Sequence, residues 1–345
     1  MSRLLFFLML SCSLFAQAPA GPQGRGGRGA GGPPVRTITE IRDGLYKVQS
    51  GAGVAAVTVF LVTTDGIILA DPLSPEFAAW LKGELAQRFP GKPVKYVLYS
   101  HYHWDHARGG GMFADTAKFI AHENMRKNLT LSLREAPPPG DTADLDGDNR
   151  LSRSEAKTGT LANFDRFDGD GDGFLTPGEI NADIRPPDIV FSSDTYTVTL
   201  GGKHVEMIWA KNRHSNDLTD MYFPEERTLF AGDYIWINRM CCNFEFDRRP
   251  IAQWIASIKS LETLDFDVLV NSHYESGTKA DLIAYREWLE DLQAAVSAGI
   301  KQGKTVEELQ KTIRLDKYKS WVGYDQQLPG IIASAYANLT KYPPR

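Results

Sequence analysis

The stretch SHYHWDH, residues 100–106, contains three histidines and one aspartate, and it follows an apolar run that predicts a strand. Alternate residues of an extended chain point to the same side, so His101 and His103 can bind one ion. Asp105 and His106 lie where the chain turns and can reach a second ion. Imidazole nitrogens and a carboxylate are ligands that suit Zn²⁺. The stretch therefore predicts a metal site at the end of a strand.

The composition is that of an ordinary globular protein, with 42% hydrophobic and 23% charged residues in a chain of 345. A chain of this length can bury a large core, and its composition excludes fibrous and wholly disordered proteins. The net charge of −5 argues against a nucleic-acid-binding protein, because such proteins usually carry a basic face. The acidity is local: residues 141–180 contain ten acidic and four basic residues, which leaves a net charge of +1 on the rest of the chain.

The N-terminus predicts export. Residues 1–20 combine Arg3, an apolar run and small residues at positions 16, 18 and 20, which is typical of a secretory signal peptide. Residues 21–36 are rich in Gly, Pro and Arg and predict a flexible linker, after which the folded domain spans 37–345. We therefore expect a periplasmic or secreted protein with no membrane span once the signal is removed. A short N-terminal membrane anchor is the alternative.

Strands and helices alternate along the domain. Apolar and β-branched runs predict strands at 45–63, 66–70, 94–100, 119–122, 188–200, 204–210, 221–223, 228–231 and 267–272. Helical periodicity is expected at 75–89, from 123 to about 133, and over most of the chain after 282. This order of elements predicts a layered α/β fold.

The histidine cluster resembles that of the metallo-β-lactamase superfamily, and four further segments match motifs of that family. They are Ile67–Asp71, His214–Asp217, Leu229–Asp233, and Asn271–His273 with Gly277–Asp281 after it. The resemblance covers roughly residues 37–290. It implies a four-layer αββα sandwich with a dinuclear metal site at one edge.

The resemblance also implies a set of ligands. The first zinc ion would be bound by His101, His103 and His214, the second by Asp105, His106 and His273, and Asp233 would bridge the two. Two such ions activate a water for attack on an electrophilic carbonyl, and Asp105 is the candidate for steering it or accepting its proton. Asp71 is expected behind the ligands, where it orients one of them. His122 is expected there too, or in a purely structural role.

Several functions stay open at this point. The leading one is hydrolysis of an ester, thioester, lactone or amide (including a β-lactam) in a small-molecule substrate. A single zinc ion, or iron or manganese, also suits this all-nitrogen-and-oxygen site. One alternative is therefore a di-iron redox enzyme on the same scaffold. Another is a calcium-dependent binding module with a vestigial metal site.

The acidic segment contains two copies of a twelve-residue pattern. Residues 168–179 (DGDGDGFLTPGE) carry carboxylates at positions 1, 3 and 5, glycine at 6, an aliphatic residue at 8 and glutamate at 12, as EF-hand calcium loops do. Residues 144–155 (DLDGDNRLSRSE) form the second copy, in which Asn149 replaces the glycine and must accept a left-handed backbone. The expected calcium ligands, some through a backbone carbonyl or a water, are Asp144, Asp146, Asp148, Arg150, Ser152, Glu155, Asp168, Asp170, Asp172, Phe174, Thr176 and Glu179.

The two loops begin 24 residues apart, which leaves about one helix, near Ser152–Phe167, between them. We expect an insert over 140–182 that binds two calcium ions and fixes one wall of the active-site cleft. Without calcium, its many carboxylates should repel one another and loosen it. A disordered acidic loop is the alternative.

Overall fold

A computed structural model describes residues 35–51, 56–131, 133, 144–211, 214–240 and 250–343. The expected signal peptide, nearly all of the linker and residues 140–143 of the expected insert lie outside these ranges. Within the described ranges, none of the helices has the length and apolar character needed to cross a bilayer.

Fourteen strands are present in the described part of the chain. They are β1 (Thr37–Arg42), β2 (Leu45–Gln49), β3 (Val57–Val62), β4 (Ile67–Ala70), β5 (Val94–Leu98), β6 (Lys118–His122), β7 (Leu151–Ser152), β8 (Phe174–Leu175), β9 (Ile189–Phe191), β10 (Thr195–Leu200), β11 (Lys203–Trp209), β12 (Thr219–Phe223), β13 (Thr228–Ala231) and β14 (Val268–Asn271). The first sheet has the order β1-β2-β3-β4-β5-β6-β9, and the second has the order β10-β11-β12-β13-β14. Strands β7 and β8 pair separately.

The described part of the chain also contains ten α-helices. They are α1 (Pro75–Arg88), α2 (Trp104–Ala107), α3 (Glu123–Asn128), α4 (Thr158–Ala162), α5 (Phe164–Phe167), α6 (Pro177–Ile180), α7 (Ile251–Leu261), α8 (Lys279–Lys301), α9 (Val306–Thr312) and α10 (Tyr324–Lys341). Two 3₁₀ turns, Arg108–Phe113 and Asp316–Tyr318, complete the described helical structure.

Alternation along the strands builds the layers. In β3, Val57, Val59 and Leu61 belong to the apolar cluster between the two sheets, to which the second sheet contributes its own inward residues. Phe60 points to the opposite face and packs in the cluster that contains Phe77 of α1. A third cluster joins the outer face of the second sheet to α7, α8 and α10. Because each sheet buries both of its faces, the result is the expected four-layer αββα sandwich.

The structure refines two of the expected elements. The predicted strand 188–200 is two strands, β9 and β10, which lie in different sheets because the chain crosses from one sheet to the other at 192–194. The helix expected near 152–167 begins only at Thr158 and is divided at Asn163 into α4 and α5. Together with α6, β7 and β8, these helices form the insert between β6 and β9.

Candidate metal centre

The segments that follow four strands bring Asp71 and all candidate ligands except His214 to one edge of the sandwich. Strands β4 and β5 run parallel in the first sheet, and β13 and β14 run parallel in the second. Parallel strands end at the same edge, so the segments that follow them meet there. These segments carry Asp71 after β4, residues 100–106 after β5, Asp233 after β13 and His273 after β14.

Backbone hydrogen bonds join the two sheets at this edge. The N–H of Thr219 in β12 donates to the carbonyl oxygen of Ser100 at 2.8 Å. The N–H of Val57 in β3 donates to the carbonyl oxygen of Ser272 at 2.6 Å. The residues next to the ligands are thereby held by the backbone of the opposite sheet, which limits how far the two halves of the site can separate.

The first group consists of His101, His103 and His214, each of which offers a nitrogen within 4.8 Å of the others. Nε2 of His214 lies 2.8 Å from Nδ1 of His103. Nε2 of His101 is buried and has no hydrogen-bond partner, as expected of an atom that faces a cation. Burial, followed by the neighbouring imidazoles, holds the pKa of His101 well below its usual range and lowers the pKa of His103 to about 3. These two rings are therefore neutral and can donate lone pairs.

The second group consists of Asp105, His106, Asp233 and His273, whose ligand atoms also lie within 4.8 Å of one another. Oδ2 of Asp233 is 3.2 Å from Nε2 of His106 and 3.2 Å from Nε2 of His273. It is also 3.9 Å from Nε2 of His214, so this carboxylate lies between the two groups, where a bridging ligand is expected.

Charge distinguishes the second group from the first. Burial lowers the pKa of His273, but the carboxylates of Asp233 and Asp105 outweigh it and raise that pKa to about 10. The same carboxylates outweigh burial at His106 and raise its pKa well above the usual range. The negative charges of these two carboxylates are thus compensated by protons on the histidines, and cations can replace those protons.

Asp71 orients two of the imidazoles. Its Oδ2 lies 3.0 Å from Nδ1 of His106 and accepts the hydroxyl hydrogen of Ser100 at 2.6 Å. The Ser100 oxygen is in turn 2.9 Å from Nδ1 of His101. With their Nδ1 atoms engaged behind the site, both rings present Nε2 to its interior.

Two buried aspartates of the same region were not predicted as site residues from the sequence. Asp217 accepts hydrogen bonds from the backbone N–H of Tyr102 at 2.9 Å, the amide of Asn128 at 3.0 Å and the hydroxyl of Ser215 at 2.6 Å. Burial raises the pKa of Asp217 to about 7 against the effect of these donors. The carboxylate thereby joins the His101–His103 segment to the His214 loop.

Asp220, in β12, holds the segment of Asp233 in a similar way. It accepts the N–H of Gly232 at 3.2 Å and the hydroxyl of Tyr234 at 2.6 Å, the two residues that flank Asp233. The second aspartate of DLTD, residues 217–220, was the signal that could have revealed it, since a polar residue in a fully buried strand needs a partner.

His122 lies outside both groups. Its ring stacks on Trp209 with centroids 4.4 Å apart, and its Nδ1 accepts the backbone N–H of Asn124 at 3.3 Å. Burial lowers the pKa of His122, which matches a neutral ring whose Nδ1 accepts a hydrogen bond. Its contacts are thus those of a structural residue at the start of α3.

The insert brings together three carboxylates from each acidic loop. One group is Asp144, Asp146 and Glu155, and the other is Asp168, Asp170 and Glu179; in each, the ligand atoms lie within 4.8 Å of one another. The fifth-position carboxylates, Asp148 and Asp172, are not part of these groups, and Asp172 pairs with Arg150 instead.

The backbone of both loops has the conformation that the sequence pattern predicts. Asn149 adopts φ +66° and Gly173 adopts φ +84° at the sixth position of their loops. The eighth positions, Leu151 and Leu175, pair across β7 and β8. This pairing makes the two loops one compact unit.

Residues 52–273 match the sequence profile of the Metallo-beta-lactamase superfamily. The α subunit of 2,4-dinitroanisole O-demethylase from Nocardioides sp. (strain JS1661) is 25% identical over 249 residues, which are 70% of this chain and 56% of that protein. The chain thus spans about half the length of this curated relative.

Two solved structures share the fold. The stereoselective inverting sec-alkylsulfatase Pisa1 from Pseudomonas sp. is 16% identical, with a TM-score of 0.60 over 90% of this chain and 50% of that one. The metallo-beta-lactamase from Pontibacter korlensis is 17% identical, with a TM-score of 0.52 over 74% of this chain and 99% of that one.

Proposed function

Because this chain belongs to the metallo-β-lactamase superfamily, we propose that it is an exported hydrolase that uses two zinc ions to cleave an ester, thioester, lactone or amide in a small molecule. The observation that carries the proposal is the convergence of five histidines and two aspartates, from four segments of the chain, at one edge of the sandwich. A vestigial site would not be expected to keep all of these donors in place.

The donor set fits zinc. Imidazole nitrogens and carboxylate oxygens are common zinc ligands, and Nε2 of His101 is a buried atom without another partner. In this proposal His101, His103 and His214 hold one ion. Asp105, His106 and His273 hold the second ion, and Asp233 lies between the two ions. Zinc supplies Lewis acidity there and lowers the pKa of water to near neutrality.

The protein itself contributes orientation and a proton acceptor. Asp71 and Ser100 hold the histidine rings in one orientation, so that little reorganisation is needed during the reaction. The side chain of Asp105 is 49% exposed, which leaves it open to the cleft. Its carboxylate is therefore the best-placed group to orient a water molecule or to accept a proton from it.

A second candidate substrate class comes from the similar proteins. One is named an O-demethylase and another a sec-alkylsulfatase, so cleavage of aryl methyl ethers and of alkyl sulfate esters belongs beside carbonyl hydrolysis.

We also propose that the insert binds two calcium ions through the two carboxylate groups of its loops. Calcium binding would then stabilise the insert beside the cleft.

The test combines metal analysis with a substrate panel. The purified protein should contain about two zinc ions, and the zinc-loaded enzyme should turn over at least one member of a panel of aryl esters, lactones, thioesters, nitrocefin, aryl methyl ethers and alkyl sulfates. His103→Ala should abolish that turnover. Native iron in place of zinc would favour the redox alternative, and unchanged function in His103→Ala would favour the binding-module alternative.

A further inference from the structure

Trp104 stands between two candidate zinc ligands, His103 and Asp105, at the first position of α2. Its indole is only 9% exposed, but it does not pack on the sandwich alone. The ring lies against the insert, and the contacts come from the two ends of one acidic loop.

Phe167 directly precedes Asp168, the first residue of the loop 168–179, and its ring centroid is 5.4 Å from that of Trp104. Asn181 follows Glu179, the last residue of the loop, by two positions. Its Oδ1 accepts the indole N–H of Trp104 at 3.3 Å. The indole is therefore contacted by a residue before the loop and by a residue after it. Its position depends on the distance between the two ends of the loop.

Arg108 completes this contact from the other end of α2. Its guanidinium lies 4.3 Å from the Trp104 ring and 4.2 Å from the Phe167 ring, where cation–π attraction is strong. It also lies 3.9 Å from the carboxylate of Asp183, which directly follows the insert. Helix α2, which carries Asp105 and His106, is thus attached to the insert at both of its ends.

The distance between the loop ends depends on charge. Asp168, Asp170 and Glu179 hold their carboxylate oxygens within 4.8 Å of one another, so they repel unless a cation lies among them. A bound cation favours the closed loop, in which Phe167 and Asn181 both reach Trp104.

We propose that Trp104 is a positioning residue that couples the loop 168–179 to the zinc centre, so that calcium bound in this loop raises the affinity of the centre for zinc. The inference rests on the proposed function, from which it takes both cations. Linkage requires the reverse effect as well: zinc must raise the affinity of the loop for calcium by the same factor.

The primary test measures zinc affinity of the metal-free full chain by competition with a chromophoric chelator, in calcium-depleted buffer and at saturating calcium. We expect about tenfold tighter zinc binding with calcium, within the usual range of coupling between two sites. The double variant Asp168→Asn, Asp170→Asn should lose this difference. Asp115→Asn, the same change at an exposed carboxylate outside the insert, should keep it. Equal zinc affinities in the two buffers, or no calcium uptake, would overturn the proposal.

A second measurement separates positioning from general stability. In the cobalt-substituted protein, calcium should change the visible absorption bands of the centre, and this change should be lost in Trp104→Ala. Trp104→Phe, which keeps a ring against Phe167, should retain part of it. Asn181→Ala leaves every loop carboxylate in place, so this variant should still bind calcium. The ratio of its zinc affinities with and without calcium should be smaller than in the parent.

The outcomes separate this inference from the proposed function. A protein that binds no zinc under any condition contradicts the proposed function. A protein that binds zinc and calcium independently, or whose cobalt spectrum responds equally to calcium in Trp104→Ala and in the parent, contradicts only the coupling.

Discussion

Asp217 accepts the backbone N–H of Tyr102 at 2.9 Å, across 115 positions of sequence. Tyr102 lies between two candidate ligands of the first ion, and Asp217 ends the loop that carries the third. Together with the bond from the N–H of Thr219 to the carbonyl oxygen of Ser100, this hydrogen bond holds the two segments of the first ligand group together.

Asp217→Ala should weaken the first ion site. The change removes the acceptor of the buried N–H of Tyr102 and of the hydroxyl of Ser215, and one of two acceptors of the Asn128 amide, which costs about 2 kcal/mol of unfolding free energy. We expect zinc affinity to fall about tenfold or more, measured by chelator competition. Asp194→Ala, at an exposed carboxylate paired with Lys211, is the matched control and should remain near the parent. Parent-like zinc affinity in Asp217→Ala would show that Asp217 does not position the site.

Asp71→Asn should lower activity more than stability. The amide is nearly isosteric with the carboxylate but loses the charge that holds Nδ1 of His106. Loss of such a partner behind a metal ligand typically costs about 10- to 100-fold in metal affinity or activity. Steady-state kinetics on the best panel substrate, together with zinc affinity, measures the effect. Full activity in the variant would argue that packing alone orients His106.

Gly109→Ala should destabilise the protein by about 1–3 kcal/mol through overpacking. A Cβ at this position would lie 2.4 Å from the carbonyl oxygen of Pro72 and 2.7 Å from the Cβ of Ala78. Neither atom belongs to a flexible side-chain end, so the segment that follows α2 would have to shift. Gly111→Ala is the control two residues later, since nothing lies within 4 Å of its added Cβ. Chemical denaturation of both variants should separate them clearly, and equal midpoints would contradict the packing argument.

His122 should make stability depend on pH. Burial lowers its pKa in the folded protein, with Glu123 and Lys127 as the charged neighbours, whereas the unfolded chain has the ordinary value of about 6.5. The unfolded state therefore binds the proton more readily. Neutral His122 therefore makes its full contribution to the free energy of unfolding above about pH 7. This contribution falls as the pH drops below 6.5.

His122→Phe retains a ring against Trp209 and cannot titrate. Urea denaturation of metal-free protein should be measured at several pH values between 5 and 8. The free energy of unfolding should change less with pH in this variant than in the parent. Its stability at pH 8 should be somewhat lower, because the acceptor for the N–H of Asn124 is lost. Identical slopes would show that the ring is not the titrating group.

Local spacing predicts the part of the site that lies on one segment. The ligands of residues 100–106 and the two acidic loops can be recognised from the sequence because the donors lie a few residues apart and the backbone brings them together. His214, Asp233 and His273 could be found only through a family resemblance, since no local rule joins them to His101.

The missed residues share a physical reason. Asp217, Asp220 and Trp104 act through contacts with segments that are distant in sequence, and their side chains look like ordinary polar or core residues in isolation. Only the folded arrangement shows that Trp104, with an apolar surface, reaches Phe167 and Asn181 of the insert. The strand predicted at 188–200 is a different case, since the polar residues 192–194 (SSD) do mark the crossing between the sheets and the prediction of one continuous strand overlooked them.

The parallel pairing of β13 with β14 has a consequence for how the protein is made. The ligand set spans from His101 to His273, so it closes only after the last strand of the second sheet has joined its neighbour. Contacts this distant in sequence form slowly during folding, because a long loop must close first. A nascent chain that has emerged only as far as β13 lacks His273 and has an incomplete second site. Under the proposed function, full zinc loading would therefore be a late event in biogenesis, after nearly four-fifths of the chain has been synthesised.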